Sequence, residues 1–140
     1  MQLTQFTDYG LRSLMYLASQ EDKLCSVREI SDHYGISKNH LVKIVHHLAM
    51  VGYITSTKGK GGGIRLSKDP EDMRLGDIIS ALEPNMDLVE CFNSEKNTCT
   101  IVKACRLKHF LADAKKSFLN CMNQHTLSDA IADKTLLLKL

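Results

Sequence analysis

Proline is scarce in this chain, two residues in 140, and glycine numbers only eight. Neither a low-complexity nor a fibrous architecture fits so little of both. Long apolar runs are missing too, since every hydrophobic stretch is short and interrupted by charge. That excludes a segment able to span a bilayer, so no membrane partner is expected. The opening residues, Met1-Gln2-Leu3-Thr4-Gln5, have neither a basic start nor an apolar stretch. No secretory signal is therefore expected, and the expected compartment is the cytoplasm, where thiols stay reduced. Five cysteines, an odd count with no C-x-x-C pair, then suit a metal site or redox chemistry better than a disulfide framework. There is no H-E-x-x-H and no nucleophile elbow. The run Gly59-Lys60-Gly61-Gly62-Gly63 is like a phosphate cradle, but it lacks the closing Gly-Lys-Ser/Thr and joins two expected strands. No catalytic constellation remains, so the chain is not expected to be an enzyme.

Acidic residues are absent from one continuous stretch of about a quarter of the chain. From Gly35 to Lys68 there are Lys38, Lys43, Lys58, Lys60, Arg65 and Lys68 but no Asp or Glu. His40, His46 and His47 lie in the same stretch. From Asp69 to Glu95 the balance reverses, with Arg74 the single base among acids. The net charge of +2 hides this asymmetry. A localised positive surface points to nucleic acid as partner.

What is present is periodic. With 44% apolar and 24% charged residues, the chain suffices for one domain around one core. Leu11, Leu14, Met15 and Ala18 recur at helical spacing, which predicts an amphipathic helix over Thr7 to Ser19. Ser26-Val27-Arg28-Glu29 is a capping box, predicting a short helix from Val27 to Tyr34. Gly35 follows as its left-handed terminator. Ser37 is expected to cap a third helix with Leu41, Ile44, Val45 and Leu48 inside, ending near Gly52. Two short helices joined by a glycine-containing turn describe a helix-turn-helix, about residues 28–51. Tyr53–Ser56 and Ile64–Leu66 read as strands around a basic glycine-rich hairpin, about residues 53–67. That hairpin is the wing of a winged helix.

A further short helix is expected over Leu75–Leu82, closed by Pro84, and an aperiodic loop from Asn85 to Ile101. A long helix is then expected from Val102 to Asn123. Its residues Leu107, Leu111, Ala114, Phe118 and Cys121 alternate spacings of four and three, an a/d seam that wants a partner helix. The symmetric partner is a second copy of the chain. The expected fold is thus mainly α with a small two-stranded β wing, plus a long C-terminal dimerisation helix. The expected division is a DNA-binding unit over 1–83, a cysteine loop over 84–105, and a dimerisation helix and tail over 106–140. The last stretch, Asp133–Leu140, is expected to be partly disordered.

Ser37, Lys38, Asn39 and His40 open the third helix, where recognition helices meet base edges in the major groove. Asn pairs bidentately with adenine and Lys donates to guanine acceptors. Lys43 and His47, further along, are expected on phosphates. The wing adds Lys58, Lys60 and Arg65, the last a candidate for the minor groove. The partner these residues imply is a double-stranded DNA operator.

Cys91-x7-Cys99-x5-Cys105 places three thiols on one loop and the helix start that follows it. Structural zinc shows two close cysteine pairs, which are absent here. An iron–sulfur cluster tolerates wider spacing, because its ligands wrap a body of several atoms. On spacing alone a cluster, zinc and redox thiols all stay open. Cys25 and Cys121 read as small buried hydrophobes. Cys121 with His125, four residues on, is a weaker metal pair.

Four separated stretches resemble the bacterial winged-helix iron–sulfur transcription regulators. They are Gln2-Leu3-Thr4 with Phe6-Thr7-Asp8-Tyr9-Gly10-Leu11-Arg12, Lys58 to Leu66, Arg74-Leu75-Gly76-Asp77-Ile78, and Ala104-Cys105-Arg106-Leu107-Lys108. The resemblance spans nearly the whole chain and lies nearest the nitric-oxide-sensitive members. It implies a homodimeric repressor with a 2Fe–2S or 4Fe–4S cluster held by three cysteines of one loop, here Cys91, Cys99 and Cys105. In those members an aspartate near the start of the first helix, from the other subunit, is the fourth ligand, which corresponds to Asp8 of the partner subunit. Members that regulate cluster biogenesis instead use a histidine three places after the last cysteine, where this chain has Lys108, with His109 next. The gap from Cys91 to Cys99 is longer than the family usually shows, and lengthening a loop costs little, about 0.6 kcal/mol per doubling. The implied function is operator repression relieved by nitric oxide. The alternatives are a cluster-biogenesis or thiol-redox regulator of the same fold, and a metal or cluster carrier that binds no DNA.

Overall fold

Thr4 starts the first helix, its hydroxyl accepting from the Thr7 amide, and helix α1 then runs Gln5–Ser19. The structure, a computed structural model, describes residues 2–131, so the stretch Asp133–Leu140 lies outside the described residues. Helix α2, Val27–Tyr34, has the limits expected of its capping box. The Ser26 hydroxyl accepts from the Glu29 amide at 3.1 Å, and the Glu29 carboxylate accepts from the Ser26 amide at 2.6 Å. Gly35 stops the helix at φ 65°, a left-handed conformation that costs a residue without Cβ little. Helix α3, Lys38–Met50, follows, burying Leu41, Ile44, Val45 and Leu48. Ser37 occupies the capping position as expected, but its side chain makes no capping bond.

Strands β1 (Ile54–Thr57) and β2 (Gly63–Leu66) pair antiparallel, Ile54 opposite Leu66 and Thr57 opposite Gly63. A backbone bridge ties the wing root to the body, beside the buried side chains of Ile54 and Ile64. Cys25 and Ile64 exchange hydrogen bonds of 2.9 and 2.8 Å. Cys25 is fully buried, as its reading as a small hydrophobe requires, and burial pushes its thiol pKa up.

Helix α4 spans Leu75–Leu82, and helix α5 spans Arg106–Met122. The start of α5 is four residues later than the expected Val102. Residues 101–104 form a turn, with the Ala104 amide on the Ile101 carbonyl at 3.0 Å, and Cys105 is extended at ψ 110°. The two helices cross at Gly76. A Cβ there would lie 2.5 Å from both the Asn123 Oδ1 and the Leu119 carbonyl oxygen, so no other residue fits without movement. Asn123 uses that approach to accept from the Asp77 amide at 2.9 Å and to donate to the Asp77 carboxylate at 3.0 Å.

After α5 the chain returns to the body, which the sequence reading did not foresee. Helix α6, Leu127–Ala130, is set by a Thr126 capping box, and Leu127 and Ile131 enter the same core as α1, α3 and α4. Each large aliphatic side chain so buried contributes roughly 1.5–3 kcal/mol. In α5 itself no residue is buried. Along its expected seam Leu107, Ala114 and Cys121 are exposed and Leu111 and Phe118 half-buried. Cys121 is therefore not the buried hydrophobe it was expected to be within the protomer. No helix among the described residues is long and apolar enough to cross a membrane.

Candidate nucleic-acid interface and cysteine loop

The core positions of α3 determine what its other side can present. With Leu41, Ile44, Val45 and Leu48 turned inward, the exposed stripe is Ser37, Lys38, Asn39, Val42, Lys43, His46 and Met50. Lys38, Asn39 and Lys43 thus stand together on one exposed stripe. Val42 and His46 were missed. They lie three and four residues beyond Asn39 and Val42 respectively, the spacing that would have found them. Val42 is 47% exposed, an apolar side chain among polar neighbours on this stripe. In the wing Lys58, Lys60 and Arg65 are all exposed, as is Lys68 just past it. Thr55 stands opposite Arg65 in the hairpin register.

Two of the expected contact residues, His40 and His47, also pack on the body. His40 and His47 lie seven residues apart, two helical turns, on the flank between the buried and exposed faces of α3. Both are half-buried against α1. The His40 ring meets Tyr9 edge-on at 5.4 Å, and the His47 ring meets Phe6 at 5.5 Å. The Nε2 of His47 also lies 2.9 Å from the Ala81 carbonyl. That nitrogen faces the end of α4.

Cys91, Cys99 and Cys105 are free and half-buried. Cys91 sits in the 3-10 turn Glu90–Phe92, and Cys105 is the residue that opens α5. Asn side chains shape the loop between them. Asn93 Oδ1 accepts from the Glu95 and Lys96 amides at 3.0 and 3.3 Å, and Asn97 Oδ1 accepts from the Cys99 amide at 3.0 Å. The Thr98 hydroxyl donates to the Glu90 carboxylate at 3.2 Å, which ties the neighbours of Cys99 and Cys91 together. Phe92 is held over α5 by the Lys115 ammonium, 4.8 Å from its ring centre. Among the described residues no three His, Cys, Asp or Glu side chains form a group that could hold a metal ion.

Asp8 lies in the first turn of α1, half-exposed, on a different element from the cysteines. Arg12 holds it by two contacts, Nε to Oδ1 at 3.0 Å and a terminal nitrogen to Oδ2 at 2.9 Å. A fork of this kind matches carboxylate geometry.

Comparison with known proteins bears on the same residues. A family model described as an iron-dependent transcriptional regulator, Rrf2, matches residues 3–133. The HTH-type transcriptional regulator NsrR of Shouchella clausii is 47% identical over 135 residues, covering 96% of this chain and 91% of that one. The protein of the same name from Bacillus subtilis is 41% identical over 141 residues, covering 100% and 97%. Among solved structures, T. potens IscR superposes with a TM-score of 0.72 at 25% identity, covering 95% of this chain and 88% of that chain. The global cysteine regulator CymR of B. subtilis superposes at 0.71 with 26% identity, covering 94% and 97%.

Proposed function

This chain belongs to the Rrf2 family of transcriptional regulators, and from that membership we propose that it is a homodimeric operator repressor controlled by an iron–sulfur cluster that responds to nitric oxide. The relatives it matches over 91% and 97% of their length are named HTH-type transcriptional regulators, and the chain shares that activity. The observation that carries the reading of the interface is the acid-free exposed stripe of α3, with Lys38, Asn39 and Lys43, beside a wing bearing Lys58, Lys60 and Arg65. In the major groove Asn39 and Lys38 would read base edges, while Lys43 and the wing bases would neutralise phosphates.

The donor set suits a cluster. Three free, half-buried thiols sit on one loop and the helix start that follows it, and soft thiolates suit iron–sulfur chemistry. Cys91, Cys99 and Cys105 would hold it, with Asp8 of the partner subunit as the fourth ligand. When bound, the cluster would supply iron centres with which nitric oxide reacts. A carboxylate is a harder and weaker partner for such iron than thiolate, so Asp8 is the labile end of the set. Arg12 already offers that carboxylate a second partner within its own helix. Release of Asp8 to Arg12 would uncouple one subunit's cysteine loop from the other subunit's reading unit. The unburied face of α5 supplies the contact between copies.

Anaerobic purification followed by absorption spectroscopy, with iron and sulfide analysis, tests this. A coloured protein whose visible bands change on adding nitric oxide is expected. A colourless protein holding stoichiometric zinc would overturn the reading.

A further inference from the structure

The end of helix α4 is decided by Pro84. Proline disfavours helical geometry in the residue before it, and Glu83 is extended at φ −79°, ψ 114°. The last carbonyls of a helix have no partner within it and must find one elsewhere. That of Ala81 finds the His47 ring, with Nε2 at 2.9 Å. A carbonyl only accepts, so Nε2 carries the hydrogen. Two residues on, the Glu83 carboxylate accepts from the Thr4 amide at 3.0 Å, the Thr4 hydroxyl at 3.2 Å and the Thr7 hydroxyl at 2.6 Å. Thr7 is fully buried, and Asp8 is the next residue. The His47 ring also packs on Phe6 of the same turn of α1.

Residues 81–83 therefore grip two elements at once, immediately before the cysteine loop begins. One grip is on the turn of α1 that bears Asp8. The other is on α3, the helix with the exposed basic stripe. We propose that His47 is the positioning residue that couples the cysteine loop and the Asp8 turn to the tilt of the recognition helix, through its bond to Ala81 and its packing on Phe6. This rests on the reading of the protein as a cluster-controlled repressor. A histidine acting only as a cap for α4 would stabilise the loaded and the cluster-free protein alike. A coupling residue affects one state more than the other, because the junction moves between them.

The test uses the full-length dimer, cluster-loaded and cluster-stripped, and measures operator affinity in both states across a salt series. His47→Leu is expected to narrow the loaded-to-stripped affinity ratio by about tenfold, the scale of one lost hydrogen bond, while the visible spectrum and the salt slope hold. His47→Gln, whose amide nitrogen can reach the same carbonyl, is expected to restore the ratio. Thr7→Val, nearly isosteric and lacking the hydroxyl of the 2.6 Å contact, is expected to narrow it as well, and it serves if the leucine variant fails to fold. An equal loss of affinity in both states would overturn the proposal in favour of a simple cap. A salt slope reduced by about one would overturn it in favour of a phosphate contact. Equal affinities in the two states of the unsubstituted protein would instead remove the parent reading, and this inference with it.

Discussion

Cys99 donates its backbone amide to Asn97, a bond that alanine keeps, and it lies outside the buried core. Replacing it with alanine takes away a thiol without opening a core cavity. Cys99→Ala is expected to abolish the visible absorption of anaerobically prepared protein while its thermal midpoint and size in solution stay unchanged. A retained spectrum would remove Cys99 from the donor set. Lys60 is exposed in the wing and has a different signature. Lys60→Ala is expected to weaken binding to every DNA sequence alike and to lower the salt slope by about one, measured by titration at several ionic strengths. A change confined to one base position would make it a reader of sequence. At this scale the sequence was legible where residue type alone decides, as with the exposed lysines and Asn39. The packing of His40 and His47 was not legible from their identity alone. Their seven-residue spacing beside Leu41 and Leu48 places them against α1, and that is a property of the helix rather than of the residue.

Local signals set most element boundaries. The limits of α2 could be read because both ends carry their own chemistry, a reciprocal capping box and a left-handed glycine. The Glu29 carboxyl is held below its usual pKa, chiefly by the Ser26 backbone amide and then by the Ser26 hydroxyl. A carboxyl depressed in the folded state contributes stability above its unfolded value. That contribution fades as pH falls from about 4.5 through the lower folded value. Glu29→Gln is expected to flatten this part of the acid-unfolding profile, followed by circular dichroism. The start of α5 was misread because Val102 and Ala104 continue a helical composition while the backbone spends those residues in a turn. The α4–α5 crossing was legible as a motif but not as a contact. Gly76→Ala is expected to destabilise by about 1–3 kcal/mol, the usual penalty for overpacking. Urea denaturation should show a lower midpoint with an unchanged slope. An unchanged midpoint would mean that Leu119 and Asn123 yield more easily than their 2.5 Å approach implies.

For the molecule as a whole, α5 is a 17-residue helix with no buried residue, and that is costly for a lone protomer to maintain. Leu107 and Phe110 are 61% and 58% exposed on it. Leu107→Asp disturbs no core contact of the protomer, so any loss of association reports on the contact between copies. A folded monomer is expected by sedimentation, with operator binding weakened because two half-sites one helical turn apart are no longer engaged together. A dimer of unchanged strength would place the interface elsewhere. The return of the chain through α6 to the core escaped sequence reading, since four residues are too few to show a period. The proposed ligand set spans two chains, which periodicity within one chain does not describe. Switching an operator from mostly bound to mostly free needs about 5.5 kcal/mol of differential affinity. The most direct measurement is operator affinity at one fixed salt concentration for the loaded dimer, the same dimer after nitric oxide, and the cluster-stripped dimer. Tight binding by the first and binding weakened toward that full difference in the other two is the predicted result. Equal affinity in all three states would contradict the account.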